Sequence, residues 1–334
     1  MSKADLEKLR FAGANLSIVR EEQVREHLSI DDAIGDSRVA LEELGHKRAV
    51  NCARIRVESS QKDIAWMHTL RARIDRWGIA GGKDYTSVKF KTPAMWATVV
   101  DAKTGLPIAF LEGNYLSRVR TAAMAAVATD LLAPGEVRRL AHFGAGKISE
   151  LLVRAVLKVR PSISRVLLVR SHIEKGAPTW LDQLGNGVHG ELADCKRALS
   201  EADIVTTATS GPDLAIPEGA SMPSVRHLNL MGSNHLKRKE IAEDLARRCL
   251  PPIGYLVIED QAQAAAEAGD FLSLVKSHEL AWDKAPTLDR LMVDPAETEK
   301  AARASLTAFK SVGMGLMDLA AAGGVLRRMG LLPA

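Results

Sequence analysis

From about residue 134 to residue 259, short apolar runs alternate with helical patterns, and this alternation restricts the fold more than any other feature of the chain. The apolar runs read "RRLAHFG", "RVLLVRS", "ADIVTTATS", "RHLNLMG" and "YLVIED". Between them the pattern predicts a helix over 147–159, a helical stretch after "RVLLVRS", and a helix through "KRKEIAEDLARR". Strands that are apolar throughout are buried on both faces, and a strand–helix–strand repeat lays them parallel. The alternation therefore predicts an α/β region built on a parallel sheet covered on both sides.

Upstream the patterning differs. "LSIDDAIGDSRVALEELG" reads as a helix with Ser29 as its N-cap, followed by strand-like "AVNCARIRVESS" and "DIAWMHTLRARI". Residues 81–114 carry the turn signals "GGKDYTS", "AKTGLP" and "EGN" between the β-type runs "WATVVD" and "PIAFLE". This is the grammar of hairpins and meanders. The change falls near residue 115, where the Ala-rich helix "LSRVRTAAMAAVATDLLA" begins, ended by the Pro134-Gly135 turn. The closing segment "AARASLTAFKSVGMGLMDLAAAGGVL" reads as long, Ala-rich and amphipathic, suited to packing back on the first region.

The first strand of the alternating region runs into Gly144-Ala145-Gly146-Lys147-Ile148-Ser149 and then a helix. Two glycines there make either a plain turn or a cradle for an anion. In a dinucleotide fold the first glycine makes the turn, the second admits the pyrophosphate to backbone N–H groups, and the third position needs a small residue. The helix N-terminus adds partial positive charge. A strand before, a helix after and further alternating strands favour the dinucleotide, with residues 144–149 as its candidate contacts. The next strand ends in Arg170-Ser171-His172, where an NAD site usually places a carboxylate for the ribose hydroxyls. Arg170 is then either a solvated strand-end charge or, with Ser171, a partner for a 2′-phosphate; the second reading favours NADP(H), with NAD(H) as the alternative.

Net charge is +4 over 334 residues, with basic residues spread along the chain rather than gathered, which gives nucleic-acid binding little support. No apolar run of membrane-spanning length is present, and the charged N-terminus does not resemble a signal peptide. Cys52, Cys195 and Cys249 stand far apart, which fits a reducing cytoplasm. No His/Cys/Asp/Glu spacing suggests a metal.

Several stretches, in one order from about residue 28 to the C-terminus, resemble the ornithine cyclodeaminase/μ-crystallin family: "ARIRV", "GGKDYT", "TGLPIAFLEGNYLSRVRTAAMAAVATDLLA", "GAGKIS", "ADIVTTATS", "HLNLMGSNHLKRKEI", "VIEDQAQAAAEAGDF" and "FKSVGMGLMDLAAA". The resemblance implies an α/β fold: a Rossmann NAD(P)-binding domain, 116–309, and an α+β substrate-binding and dimerisation domain, 1–115 with 310–334. It implies a homodimer that handles small α-amino or α-imino acids. It further places Thr207, Ala208, Thr209, Gly232 and Ser233 on the cofactor, beside residues 144–149.

Arg120 matches the family's carboxylate-binding arginine, Arg54 a second, and Lys83 its active-site lysine, although Lys89 and Lys91 follow closely. A guanidinium holds a carboxylate by two parallel charge-assisted bonds, which explains the residue type. Taken singly, Arg120 could cap a helix, Arg54 could be a strand-face charge and Lys83 a turn residue. One position departs from the pattern. Cyclodeaminases carry an aspartate where this chain has Asn234, and an amide takes no proton at neutral pH. The sequence thus favours an NAD(P)(H)-dependent oxidoreductase of ketimine reductase or amino-acid dehydrogenase type, with Lys83 and Asn234 at the reacting centre. The alternatives are a cyclodeaminase-type ammonia lyase that forms a cyclic imino acid such as proline, and a non-catalytic, crystallin-like cofactor binder.

Overall fold

In the computed structural model the described residues are 8–11, 14–61, 64–87, 93–209, 211 and 213–333; Lys89, Lys91 and Ser210 lie outside them. The chain divides into two units. One is the chain up to Thr121 together with the segment from Met314 onward, and the other is Ala122–Gly313.

The first unit is α+β. Its strands are β1 (Lys8–Phe11), β2 (Ala14–Val19), β3 (Ala49–Asn51), β4 (Ile55–Val57), β5 (Trp66–Ile74), β6 (Ile79–Ser87), β7 (Ala94–Asp101) and β8 (Pro107–Glu112). They form one sheet in the order β1-β2-β8-β7-β6-β5-β3, with β4 also on β5. From β5 to β8 the sheet is an antiparallel meander, as the turn signals predict. Period-2 alternation sets the faces: His68, Leu70, Ala72 and Ile74 are buried, whereas Met67, Arg71 and Arg73 are exposed. The helix Ile30–Gly45 starts at Ser29, whose side chain accepts from the Asp32 N–H, as expected. The helix Gly315–Arg328 packs on β5, β6 and β7 and on Ile30–Gly45.

"GGKDYTS" corrects the sequence reading. It is not a turn but the body of β6, paired with β5 and β7 on its two sides. A side chain on Gly81 would come within 2.0 Å of the Thr98 carbonyl oxygen, and one on Gly82 within 2.0 Å of that of Leu70. Both residues have positive φ, 145° and 150°. The glycines let neighbouring backbones approach; they do not mark a reversal. "AVNCARIRVESS" is likewise two short strands, with residues 52–54 between them.

The second unit is a Rossmann-type layer. Its strands are β9 (Arg139–Phe143), β10 (Arg165–Val169), β11 (His189–Leu192), β12 (Ile204–Thr207), β13 (His227–Leu230), β14 (Gly254–Ile258) and β15 (Leu306–Lys310). All pair in parallel, in the order β11-β10-β9-β12-β13-β15-β14. Separate apolar cores cover the faces, one around Leu140, Val153, Val156 and Val166, the other around Ala141, Val205, Leu228 and Phe271. The strand order reverses direction between β9 and β12, and ligands of such sheets bind beyond the carboxyl ends of strands at that point.

Three further expectations change. The segment after "RVLLVRS" holds 3-10 turns, the edge strand β11 and a helix, Cys195–Glu201. "KRKEI" is not helical; the helix is confined to Glu243–Arg248, and Ile241 instead bridges Ile216. The C-terminal stretch is not one amphipathic helix. "LTAFK" is β15, inside the parallel sheet, and in the following helix every residue from Gly315 to Leu326 is buried. Among the described residues no helix is long and apolar enough to cross a membrane.

Candidate active site

In the Rossmann-type unit the glycine loop leaves β9 at the switch point. Gly144 has φ +123°, its N–H donates to the Val169 carbonyl at 2.9 Å, and a Cβ there would lie 2.6 Å from the Ala208 oxygen. Here the loop after β9 runs against the loop after β12, so only glycine fits. A Cβ on Gly146 would meet nothing within 4 Å, and Ala145, Gly146 and Lys147 are exposed. The helix begins at Ser149, so Lys147 and Ile148 lie in the turn before it, and its N-cap residue, Ile148, makes no side-chain capping hydrogen bond. Ser149 is wholly buried, which shows why this position must be small, and its hydroxyl has no partner among the described residues. An open glycine before a helix whose N-cap makes no side-chain bond fits the pyrophosphate of a dinucleotide.

Arg170, at the end of β10, is half-buried. Its Nη1 donates to the Gly176 carbonyl at 2.8 Å, and its buried Nε has no acceptor among the described residues. Ser171 and His172 are exposed, and His172 lies 3.1 Å from Glu174.

The loops after β12 and β13 are tied by a group that sequence reasoning missed. Glu240 Oε1 accepts from the Thr209 N–H and hydroxyl at 2.9 and 3.1 Å, and Oε2 accepts from the Gly232 and Ser233 N–H groups at 2.8 and 3.1 Å. Asp270 accepts in turn from the Glu240 N–H, and buried Lys310 joins Asp270 at 2.8 Å and the Ser233 carbonyl at 2.6 Å. Thr209, Gly232 and Ser233 therefore spend their N–H groups on Glu240; what they offer a ligand is the shape of the loop. Thr207 is buried, and the Ala208 N–H continues the ladder to Phe143. Asn234 follows in the same loop, half-buried, on the carboxyl side of β13. A lysine closing the apolar run "LTAFK" was the signal available for this cluster.

In the first unit, Lys83 on β6 and Arg120 on the helix Asn114–Leu132 meet at Asp318. Asp318 Oδ1 lies 3.0 Å from Lys83 Nζ and 2.8 Å from Arg120 Nε. All three residues are buried, Asp318 completely. Lys83 also donates to Ser117 Oγ at 2.8 Å. Burial pulls the Lys83 ammonium down from its usual value to about 7, aided by Arg120 and Arg54 and opposed by Asp318. Arg120 Nη1 and Asp318 Oδ2 are buried without hydrogen-bond partners among the described residues. Arg54, in the link between β3 and β4, has its guanidinium carbon 5.9 Å from the centre of the Tyr85 ring, and Lys83 Nζ is 5.6 Å from the same ring. His68 stacks on Tyr85 with centroids 4.3 Å apart. Two of the three expected basic residues, Lys83 and Arg120, thus share one carboxylate, whereas Arg54 lies near the Tyr85 ring that Lys83 also approaches. Asp318, Tyr85 and His68 were not anticipated.

The chain thus combines a doubly wound unit with an open glycine loop and an α+β unit with a buried lysine–arginine–aspartate cluster. The chain belongs to the ornithine cyclodeaminase/mu-crystallin family, whose profile matches residues 15–329. It is 26% identical over 313 residues to a Delta(1)-pyrroline-2-carboxylate reductase of Bacillus cereus, covering 90% of this chain and 93% of that one. Among solved structures it resembles a probable ornithine cyclodeaminase from Bordetella pertussis Tohama I, with TM-score 0.80 and 25% identity over 95% of this chain and 99% of that one. The iminosuccinate reductase of Paracoccus denitrificans, solved with NAD+, shares the fold with TM-score 0.82 and 22% identity, covering 94% of this chain and 96% of that one.

Proposed function

We propose that the chain is a nicotinamide-dependent oxidoreductase that interconverts a small α-imino acid and the corresponding α-amino acid, with reduction of a cyclic ketimine as the best-fitting direction. The observation that carries this reading is the buried cluster in which Lys83 and Arg120 share Asp318. A buried guanidinium nitrogen without an acceptor costs about 1–3 kcal/mol, and a substrate carboxylate on Arg120 Nη1 removes that cost. Arg54 adds a second cation for the same carboxylate. Lys83, titrating near 7, holds or gives up a proton at neutral pH and so serves the substrate nitrogen as acid in reduction and as base in the reverse direction.

The dinucleotide, when bound, supplies or takes the hydride; residues 144–149, Thr207, Ala208 and the Glu240-tied loop would hold it. The open position at Gly146 and the helix start without a side-chain bond from its N-cap support this, as does the NAD+ held by the iminosuccinate reductase of like fold. We assign NADP(H) as the preferred form, supported by Arg170, whose Nε lacks an acceptor among the described residues and whose strand end carries no carboxylate. Asn234 favours reduction over cyclodeamination, because an amide orients a group but takes no proton. Lys83→Met tests the reading: it should abolish imine reduction while NADPH still binds. Retained reduction would overturn the role of Lys83.

A homodimer is supported by the outer face of the β4–β5 ribbon, where Ile55, Val57 and Met67 are exposed and Val57 lies directly opposite Met67. Three unpaired cysteines support a cytoplasmic setting.

A further inference from the structure

Asp318 stands in the first turn of the helix Gly315–Arg328. It is wholly buried, it spends one oxygen on two cations, and its other oxygen has no hydrogen-bond partner among the described residues. Burying a carboxylate with half its acceptors idle is a poor way to stabilise a helix, since desolvation costs several kcal/mol and an apolar residue of similar volume serves as well. Its position suits another purpose. Lys83 and Arg120 are like charges held side by side away from water, and they repel.

We propose that Asp318 is a positioning residue: by sharing Oδ1 between Lys83 Nζ and Arg120 Nε it fixes the spacing of the two cations and keeps the proton on Lys83. Around Lys83 stand Ser117 and Arg120 on the helix Asn114–Leu132, Tyr85 on β6 with His68 of β5 stacked on it, and Arg54 ahead of β4. Among these groups Asp318 supplies the negative charge. An arginine does not deprotonate in a protein, so without Asp318 the repulsion is relieved at the lysine. The neutral amine then has no proton to give a substrate nitrogen. Charge and placement are separate duties, and they can be tested separately.

This inference rests on the oxidoreductase reading for its consequence, but the proton on Lys83 is observable without substrate. In protein labelled at lysine 15Nζ and 13Cε, the Lys83 signal is assigned by its loss in Lys83→Met and then titrated. Asp318→Asn, which keeps shape and removes charge, should lower the midpoint by at least about one pH unit, a tenfold change in the proton affinity. Its kcat/KM for imine reduction should fall most at pH 8 and recover toward the wild-type value as the pH is lowered. Asp318→Glu keeps the charge and displaces it, so the midpoint should hold while kcat/KM falls by about the same factor at every pH. An unmoved midpoint in Asp318→Asn, or full activity in Asp318→Glu, overturns the proposal. If Asp318→Asn does not fold, the Glu variant decides by the same criterion. A shifted midpoint in a protein whose wild type reduces no imine would sink the oxidoreductase reading and leave this inference standing.

Discussion

Arg120→Ala separates substrate binding from proton supply. In the native cluster Arg120 contributes Nε to Asp318 at 2.8 Å, while its Nη1 has no partner among the described residues. Truncation removes the carboxylate clamp, yet Asp318 retains Lys83 at 3.0 Å, so the buried charge is not left alone and the fold should survive. Losing one partner of a desolvated, charge-assisted pair costs about 2–4 kcal/mol in kcat/KM, or roughly 30- to 900-fold. A second effect runs the other way. Arg120 is one of the charges that hold the Lys83 ammonium down, so removing it lets that group rise. As the acid in reduction, Lys83 must be protonated, and wild-type kcat/KM should fall as the pH rises through about 7. In Arg120→Ala the falling limb should move to higher pH while the plateau drops. Comparing both proteins on one imine cancels the substrate's own titration. A loss below tenfold, or a limb that stays in place, would refute the arrangement.

Gly146→Val places a branched side chain in the open space at the glycine loop, so NADPH affinity by calorimetry should fall at least about tenfold with the fold retained; unchanged affinity would remove the pyrophosphate from that loop. Arg170→Asp should shift the preference from NADP(H) toward NAD(H) in compared Michaelis constants, and a wild-type preference for NAD(H) would leave Arg170 a strand-end charge. His142 is buried without side-chain partners among the described residues, and burial pushes its imidazole down to about 3. The unfolded chain therefore takes up a proton below about pH 6.5 that the folded chain refuses, and stability falls by about 1.4 kcal/mol per pH unit between there and pH 3 from this group. Urea unfolding of His142→Leu at pH 7 and pH 5 should show a shallower loss on acidification than the wild type; an equal loss would deny the coupling.

Much of the parallel layer was legible because its signals are local: apolar runs buried on both faces, and a glycine turn between a strand and a helix. "GGKDYTS" misled because glycine serves both reversals and close approach, and the carbonyls of Thr98 and Leu70 that demand it belong to other strands. β15 was hidden because a short mixed pentamer, "LTAFK", between two Ala-rich helical stretches carries no clear period of its own. Lys83 and Arg120 stand out in the sequence through the stretches that resemble the family rather than through their own chemistry. Asp318 was missed because it meets Arg120 across 198 residues of sequence. Glu240 was likewise read as one more polar residue of a helix that does not form there.

The most direct test of the central claim is stoichiometry. Purified protein is given NADPH and a five-membered cyclic α-imino acid, and separately NADP+ with ornithine; dinucleotide absorbance, amino-acid product and free ammonia are followed together. The account predicts one NADPH oxidised per imino acid reduced and little ammonia from ornithine, with Asn234→Asp raising ammonia release without improving reduction. Efficient ammonia release from ornithine by the unmodified protein, with no net change in the dinucleotide, would contradict it.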